Sequence, residues 1–268
     1  MKDLRSRFGF HTTPFTREIQ VKDCFHTEPF KEALRALLRV LDQRMSCALI
    51  APAGVGKTAL LRALVAELPE ARYKVHYVKV TDLSKRDMCR EIALAIGSPP
   101  AGTFPSLVRR LQDHFLSTAT TDGLRPVMIL DESHDLRPGV FGLLRVLTNF
   151  EMDSRLVLSI VLAGQPPLQA LLRRSDMEAV AKRLAHYATL RPFSREETIG
   201  YVNHRCHIAG ATTVPFDPKA IDALYEVGRG NLRATDSLAL KTLEVAHDQN
   251  AGVCDASHVV QARKLLWP

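Results

Sequence analysis

The sequence contains no apolar stretch long enough to cross a membrane. The longest, LVLSIVLAG from Leu156 to Gly164, is far shorter than the roughly 20 residues that a spanning helix needs. The first residues, MKDLRSRFGF, also lack the apolar centre of a secretory signal. From these absences we expect a cytoplasmic protein that is neither exported nor embedded in a membrane and makes no contact with one.

The sequence also lacks paired cysteines, internal repeats and low-complexity tracts. Its five cysteines are odd in number and scattered along the chain, which argues against a disulfide framework and indicates reduced thiols in a cytosolic protein. What remains is an ordinary globular composition, 46% hydrophobic and 24% charged, over 268 residues. That length allows one large domain or a core domain with a smaller one.

Acidic residues are outnumbered by basic ones. Lysine and arginine total 36 against 29 aspartates and glutamates, so the formal net charge is +7. An acidic partner such as DNA is compatible with this charge, but many basic proteins bind nothing acidic. Charge alone therefore leaves the partner open.

Apolar runs alternate with helical patterns over the first two thirds of the chain. PVMILD and RLVLSIVLAG are apolar on both faces, as buried parallel strands are, while YKVHYVKV alternates and KTALLRALVAEL is helical. This order predicts an α/β fold with a parallel sheet, which together with a polar N-terminal arm covers residues 1–191. From about Pro192 the strand patterns end, and residues 192–268 are predicted to form an all-helical subdomain.

A phosphate-binding loop is indicated by APAGVGKT, which follows a short apolar strand and opens a helix. It matches G-x-x-x-x-G-K-[ST] except that Ala51 stands at the first glycine position. In such a loop backbone N–H groups surround the phosphates, the lysine pairs with the outer ones, and the hydroxyl coordinates Mg²⁺. Alanine would strain the loop if its φ had to be positive. The residues predicted to bind ATP are Pro52, Ala53, Gly54, Val55, Gly56, Lys57, Thr58 and Ala59.

Two carboxylates end a second buried strand, VMILDE. Asp131 is predicted to hold Mg²⁺ with Thr58, and Glu132 to deprotonate the water that attacks the γ-phosphate. Alternatively the pair only caps the following helix. The letters DESH also fit a helicase box, but a helicase of that class should carry a second RecA-like domain, and helical patterns follow instead. His134 is then expected to be an incidental helix-start residue.

Three further polar residues lie where phosphate-sensing groups are expected. Gln165 ends the strand SIVLAG and is well placed to hold the attacking water. Arg183 precedes a final strand, and Arg233 stands near the start of a helix in GRGNLRATDSL. Guanidinium groups are permanently charged and bind phosphate oxygens bidentately, although a single arginine is more often a solvated surface charge.

These elements, in this order, resemble an AAA+ ATPase. APAGVGKT is similar to Walker A and VMILDE to Walker B, while Gln165, Arg183 and Arg233 match sensor 1, the arginine finger and sensor 2. FGFHTTPF, LAGQPPL, AKRLAHYATLRPFS and GRGNLRATDSL resemble the ExeA/TniB/TnsC branch, and the likeness runs over nearly the whole chain. The resemblance implies a P-loop AAA+ parallel-sheet core with a C-terminal all-helical lid, and ATP with Mg²⁺ as ligands.

The sequence departs from this branch at two positions. Ala51 replaces glycine, and Leu232 stands where the branch usually has proline. Neither change removes a reacting group, so ATP binding is expected to survive, and slow hydrolysis would be compatible with both changes.

The resemblance leaves three classes of function open: two lie within this branch, and the third is a signalling or partner-switch ATPase of the same fold. Transposition-type members are similar to MuB: they bind double-stranded DNA with ATP, form a ring or helical filament of identical subunits, and recruit a transposase or work with target-selection proteins. The length, the charge and the lack of a membrane segment favour this class, most like a TnsC-type regulator. The alternatives are an ExeA-like secretion ATPase and a partner-switch ATPase that does not bind DNA.

If DNA is bound, the resemblance implies that residues after the second strand line the bore of the oligomer. Contacts there would be mostly to phosphate and therefore tolerant of sequence. The residues expected at this surface, with Arg110 beside them, are Lys79, Thr81, Ser84, Lys85, Arg86 and Arg109.

Overall fold

The computed structural model describes residues 2–267, so residues 1 and 268, the outer limits of the two predicted domains, lie outside it. The described residues form a five-stranded sheet in the order β2-β3-β4-β1-β5, and each neighbouring pair is parallel. Its strands are β1 (Ser46–Ile50), β2 (Tyr73–Lys79), β3 (Arg125–Asp131), β4 (Ser159–Gly164) and β5 (Leu184–Thr189). The predicted α/β class with a parallel sheet is confirmed.

Helices connect the strands and continue after the last of them. As far as β5 they are α1 (Lys2–Phe8), α2 (Glu28–Asp42), α3 (Lys57–Glu67), α4 (Lys85–Ala95), α5 (Phe104–Thr120), α6 (Pro138–Leu147), α7 (Pro166–Leu172) and α8 (Glu178–Ala181). After β5 come α9 (Arg195–Ile208), α10 (Pro218–Gly228), α11 (Leu232–Asp248) and α12 (Ala256–Leu266). Within residues 2–267 no helix has the length and apolar character that a membrane span requires.

Backbone contacts divide the chain into two compact units. The core unit consists of Glu28–Pro52 and Lys57–Leu190. The helical unit consists of the chain as far as Thr27, the short stretch Ala53–Gly56, and the chain from Arg191 onward. The predicted domains, residues 1–191 and 192–268, remain a prediction. The contact units differ from them because the N-terminal segment and the stretch Ala53–Gly56 belong to the helical unit.

Burial explains the order of the strands in the core unit. β4 is buried along its whole length and β3 from its second residue onward, as central parallel strands are. β2, at the edge, has four of its seven residues outside the buried class. Because β4 lies between β3 and β1, the carboxyl ends of these three strands are neighbours. The sheet therefore brings Ile50, Asp131 and Gly164 to one edge.

Polar side chains set where the helices of the helical unit begin. Ser194 and Asp217 cap α9 and α10 by accepting a hydrogen bond from a backbone N–H three residues further on. Asn231 caps α11 in the same way, because its Oδ1 accepts from the N–H of Ala234 at 3.1 Å. Each cap satisfies an N–H group that the first turn of a helix leaves unpaired.

The expectation of a polar N-terminal arm is wrong. Leu4, Phe8, Phe10 and Phe15 are buried, and they belong to the apolar cluster of the helical unit. Phe15 meets Phe216 edge to face, with ring centroids 6.0 Å apart. These side chains follow no continuous helical or strand period, which is why the sequence pattern did not reveal that the segment contributes to a core.

Candidate nucleotide-binding site

The loop predicted to surround the phosphates begins without backbone strain. Ala51 is fully buried, and its N–H donates to the carbonyl of Gly164 at 2.9 Å, next to the last paired residues of β1 and β4. Its φ is not positive. The alanine at the first glycine position therefore does not cause the strain considered from the sequence.

Gly54 and Gly56 determine the shape of the loop. Their φ angles are +77° and +101°, values that residues with a Cβ rarely adopt. A Cβ on Gly54 would overlap the side chain of Asn231, whereas the nearest atom to a Cβ on Gly56 is Leu232 Cδ1 at 3.5 Å. Both glycines are needed for their conformation, and Gly54 is also needed for the close approach of Asn231.

Two groups at the start of α11 hold this stretch within the helical unit. Asn231 Nδ2 donates to the carbonyl of Ala53 at 2.7 Å, and the Arg233 N–H donates to the carbonyl of Gly54 at 3.2 Å. The Arg233 side chain is exposed, and its contact with nucleotide stays a prediction. Sequence analysis missed Asn231. Its place before a helical run signals a cap, but its contact with a loop 178 residues away has no local signal.

Lys57 lies between the two carboxylates at the end of β3. It opens α3 and is only 6% exposed. Its Nζ contacts Asp131 Oδ1 and lies 3.0 Å from Glu132 Oε1. A buried cation needs such counter-charges, because removing it from water without them is costly. The structure thus brings together the lysine and both carboxylates that the sequence assigned to one site.

Tyr77 completes the surroundings of Asp131. Its hydroxyl donates to Asp131 Oδ2 at 3.0 Å, and the backbone N–H of Glu132 donates to Oδ1 at 2.9 Å. Burial, followed by the negative charge of Asp131, raises the pKa of Tyr77 to about 12, so the hydroxyl keeps its proton at neutral pH. Sequence analysis missed Tyr77, because its partner is 54 residues away and on another strand.

Glu132 has a left-handed backbone, with φ 58° and ψ 35°. This conformation costs a residue with a side chain about 1–2 kcal/mol. The turn is held by Ser133, whose Oγ donates to the carbonyl of Leu130 at 2.7 Å. The Glu132 side chain is 28% exposed, so solvent reaches the carboxylate that also contacts Lys57. A carboxylate that is both held and accessible suits the predicted activation of water.

His134, which the sequence suggested is an incidental helix-start residue, has polar neighbours in the structure. It lies in the short turn after β3, and its side chain is 14% exposed. Its Nδ1 is 3.5 Å from Glu132 Oε2, and its Nε2 is 2.9 Å from Nε2 of Gln165. The ring therefore stands between the predicted base and the predicted sensor. Gln165 follows β4, beside the ends of β3 and β1, where the sequence placed it.

Arg183 lies immediately before β5, and its side chain forms an ion pair with Asp153. The hydrogen bond from Arg183 lowers the pKa of the Asp153 carboxyl. Arg183 is 29% exposed in this pair. Its predicted action on the ATP of another subunit is not tested by a single chain and stays a prediction.

The residues predicted to contact DNA make several different local contacts in the structure, and their contact with DNA stays a prediction. Ser84 caps α4, because its Oγ accepts from the Asp87 N–H at 3.2 Å and donates to Asp87 Oδ2 at 2.6 Å. Arg86 donates to the carbonyl of Gly102 at 3.1 Å. Lys79 is exposed at the end of β2, and Thr81 is exposed just after it. The side chain of Lys85 packs toward α6, and Lys85 and Arg109 both line the groove between α5 and α6. Arg110, beside them, donates to Pro99 and Ala101 carbonyls.

The residues present fit ATP with Mg²⁺. The backbone is open at Gly56, the hydroxyl residue Thr58 is exposed, and Lys57 supplies a positive charge at the start of a helix. Thr58 and Asp131 offer the oxygen ligands that a hard divalent cation prefers. These two residues would hold the cation, and Lys57 would hold the outer phosphates.

A parallel sheet in this order, a glycine-bent loop between β1 and a helix, and an acid pair at the end of β3, one strand removed from β1, define a P-loop nucleotide-binding core. The family described as "AAA domain" matches residues 39–172 of the chain. The chain belongs to this family.

One curated relative is general secretion pathway protein A of Aeromonas hydrophila, 32% identical over 244 residues. The match covers 89% of this chain and 44% of that protein, so the chain spans less than half of the relative's length.

Several solved structures have a similar fold. They include Cdc6p from Pyrobaculum aerophilum, with a TM-score of 0.74 and 16% identity over 94% of this chain and 70% of that one. The structure of the Aeropyrum pernix ORC1 protein in complex with DNA has a TM-score of 0.71 and 20% identity, over 96% of this chain and 70% of that one. The Thermotoga maritima RuvB Holliday junction branch migration motor has a TM-score of 0.61 and 19% identity, over 94% of this chain and 73% of that one. At these identities the likeness shows the fold alone.

Proposed function

We propose that the chain hydrolyses ATP at the residues around Lys57, with Mg²⁺ held by Thr58 and Asp131. The observation that carries this proposal is the contact of one buried lysine with both Asp131 and Glu132. A lysine that turns to the outer phosphates uncovers both carboxylates, Asp131 for the cation and Glu132 for the attacking water. Bound Mg²⁺ would neutralise charge on the phosphate oxygens.

In this proposal a neighbouring subunit completes the site through Arg183. Arg183 precedes the amino end of β5, whereas Asp131 lies at the carboxyl end of β3 in the same parallel sheet. A strand of six residues spans roughly 20 Å. That separation supports an action of Arg183 on the ATP of another copy, with Gln165 holding the water and Arg233 contacting the γ-phosphate.

Mixed oligomers test this arrangement. Lys57→Ala removes ATP binding from one subunit, and Arg183→Ala removes the finger from the other. Each variant alone should be inactive, but a mixture should recover part of the hydrolysis, because some interfaces then pair an intact site with an intact Arg183. No recovery in a mixture shown to co-assemble would rule out action between subunits.

The proposed cellular role is that of a cytoplasmic, ATP-dependent regulator of transposition. Assembled with ATP, the chain binds double-stranded DNA and recruits or activates a transposase. The net charge of +7 and the exposed cations around the start of α4, among them Lys79 and Lys85, support this role. Repetition of such a patch in successive subunits lets many weak phosphate contacts act together.

A second candidate is a secretion ATPase of the ExeA type. It is favoured by one specific observation, the 32% identity to general secretion pathway protein A over 89% of this chain. Such a protein uses the same ATP site for a partner other than DNA. The two candidates therefore agree on Lys57, Asp131 and Glu132 and differ in what the assembled form binds.

Duplex binding measured against salt concentration separates the candidates. The regulator should bind DNA more tightly with a non-hydrolysable ATP analogue than with ADP, with a steep loss of affinity in salt and little dependence on sequence. Lys85→Ala with Arg86→Ala should lower both the affinity and the salt slope. Arg173→Ala with Arg174→Ala, two exposed cations after α7, is the matched control and should change neither. Assembly with ATP but no salt-sensitive DNA affinity would favour the secretion or partner-switch function.

A further inference from the structure

His134 contacts both polar groups that the proposed reaction uses after ATP is bound. Its Nε2 is 2.9 Å from Nε2 of Gln165, and its Nδ1 is 3.5 Å from Glu132 Oε2. The backbone N–H of Gln165 also faces Nδ1, at 3.5 Å, and Asp135 Oδ1 lies 3.7 Å from Nε2. The ring therefore lies among polar groups of Glu132, Asp135 and Gln165.

The approach of the ring to Gln165 is built into the backbone of the core unit. β4 ends at Gly164, and a Cβ there would lie 3.1 Å from the backbone nitrogen of His134 and close to Leu168. A side chain at this position would force Leu168 and the turn that carries His134 to shift. The contact between this turn and the end of β4 is therefore a tightly packed feature and not a chance approach of surface groups.

The two oxygens of Glu132 have different partners. Oε1 is 3.0 Å from Lys57, whereas Oε2 faces His134. When Lys57 moves to the phosphates, His134 remains as the group that orients the carboxylate. A base must be held within a small angle of the attacking water, because misplacement by about 1 Å can reduce a rate about 100-fold.

We propose that His134 is a positioning residue for hydrolysis: it links Gln165 to Glu132 and aligns the carboxylate that activates water. This inference rests on the proposed roles of Glu132 and Gln165. It assigns His134 no contact with ATP, so it predicts an effect on turnover and not on nucleotide affinity.

Steady-state kinetics of His134 variants test the proposal. His134→Ala should lower kcat about 10- to 100-fold, with the KM for ATP and the affinity for a non-hydrolysable analogue unchanged. His134→Asn keeps a donor near the Nδ1 position and should recover part of kcat, whereas His134→Gln keeps an amide near Nε2 only and should remain slow. His76→Ala removes another buried histidine of the core unit and should leave kcat unchanged in the folded protein.

A double-mutant cycle separates positioning from a general loss of structure. If the ring acts through Gln165, His134→Ala should have a much smaller effect on kcat in a Gln165→Ala background than in the wild type. Additive effects, an unchanged kcat in His134→Ala, or a rise in KM without a fall in kcat would overturn the proposal. Full turnover in Glu132→Gln would instead refute the underlying role of Glu132, so the two failures are distinguishable.

Discussion

The predicted nucleotide site and the predicted DNA surface differ in the contacts that their residues make within the chain. At the nucleotide site one lysine contacts both carboxylates, although the chain separates them by 74 and 75 residues. Along the predicted DNA surface, Ser84 caps a helix and Arg86 is bonded to a backbone carbonyl. The first set of residues meets at one point, whereas Ser84 and Arg86 in the second set each bond to groups of their own surroundings.

The difference follows from what each function demands of the chain. Phosphate and Mg²⁺ chemistry needs specific groups at specific positions on strand ends and a helix start, and such positions leave a pattern in the sequence. Contacts with a DNA backbone need only positive charge on an accessible surface, which many side chains supply. A helix cap and a phosphate contact use the same residue types, so the sequence alone does not separate them.

The variant with the largest expected effect tests the nucleotide site. Glu132→Gln should keep ATP binding but lower turnover at least about 100-fold, because the amide cannot accept the proton from water. ATP-analogue titration and single-turnover hydrolysis measure the two quantities separately. Lys57→Ala is the complementary variant and should lose binding itself, since it removes the buried positive charge of the site.

Equal hydrolysis rates in the wild type and Glu132→Gln would contradict the assigned role of the acid pair. Loss of binding in Glu132→Gln would instead show that the carboxylate supports the position of Lys57, which it contacts at 3.0 Å. Either result would reduce the difference between the predicted nucleotide site and the predicted DNA surface.

The sequence predicted those parts of the site that depend on local patterns. The loop before α3, the strand ending in Asp131, and the position of Gln165 all follow from short motifs on alternating strands and helices. Tyr77 and His134 were missed or misjudged, because their roles come from partners that only folding brings near. The same reason applies to Phe15, which lies in a segment without periodicity and packs against Phe216.

An intermediate effect tests whether the loop depends on the approach of Asn231. Gly54→Ala should lower the free energy of unfolding by about 1–2 kcal/mol for the left-handed backbone, and it should also displace Asn231, which a Cβ would overlap. Gly123→Ala is the matched control: its φ is +68°, and no described atom lies within 4 Å of a Cβ built there. Both variants should lose stability in denaturant titrations, but only Gly54→Ala should also lose affinity for ATP. Equal affinities would show that the contact with Asn231 does not matter for binding.

The smallest expected effect tests the second half of the comparison, at Ser84. Ser84→Ala should lower the free energy of unfolding by about 1 kcal/mol, because it removes the cap of α4. Thr103→Ala is the matched control, since Thr103 caps α5 by accepting from the Ser106 N–H at 3.4 Å and lies outside the predicted DNA surface. Denaturant titration should show similar losses for both, and duplex binding by the folded proteins should be unchanged in each. A drop in DNA affinity and salt slope for Ser84→Ala alone would support the predicted contact of Ser84 with DNA, and the cap of α4 would then not be its only role.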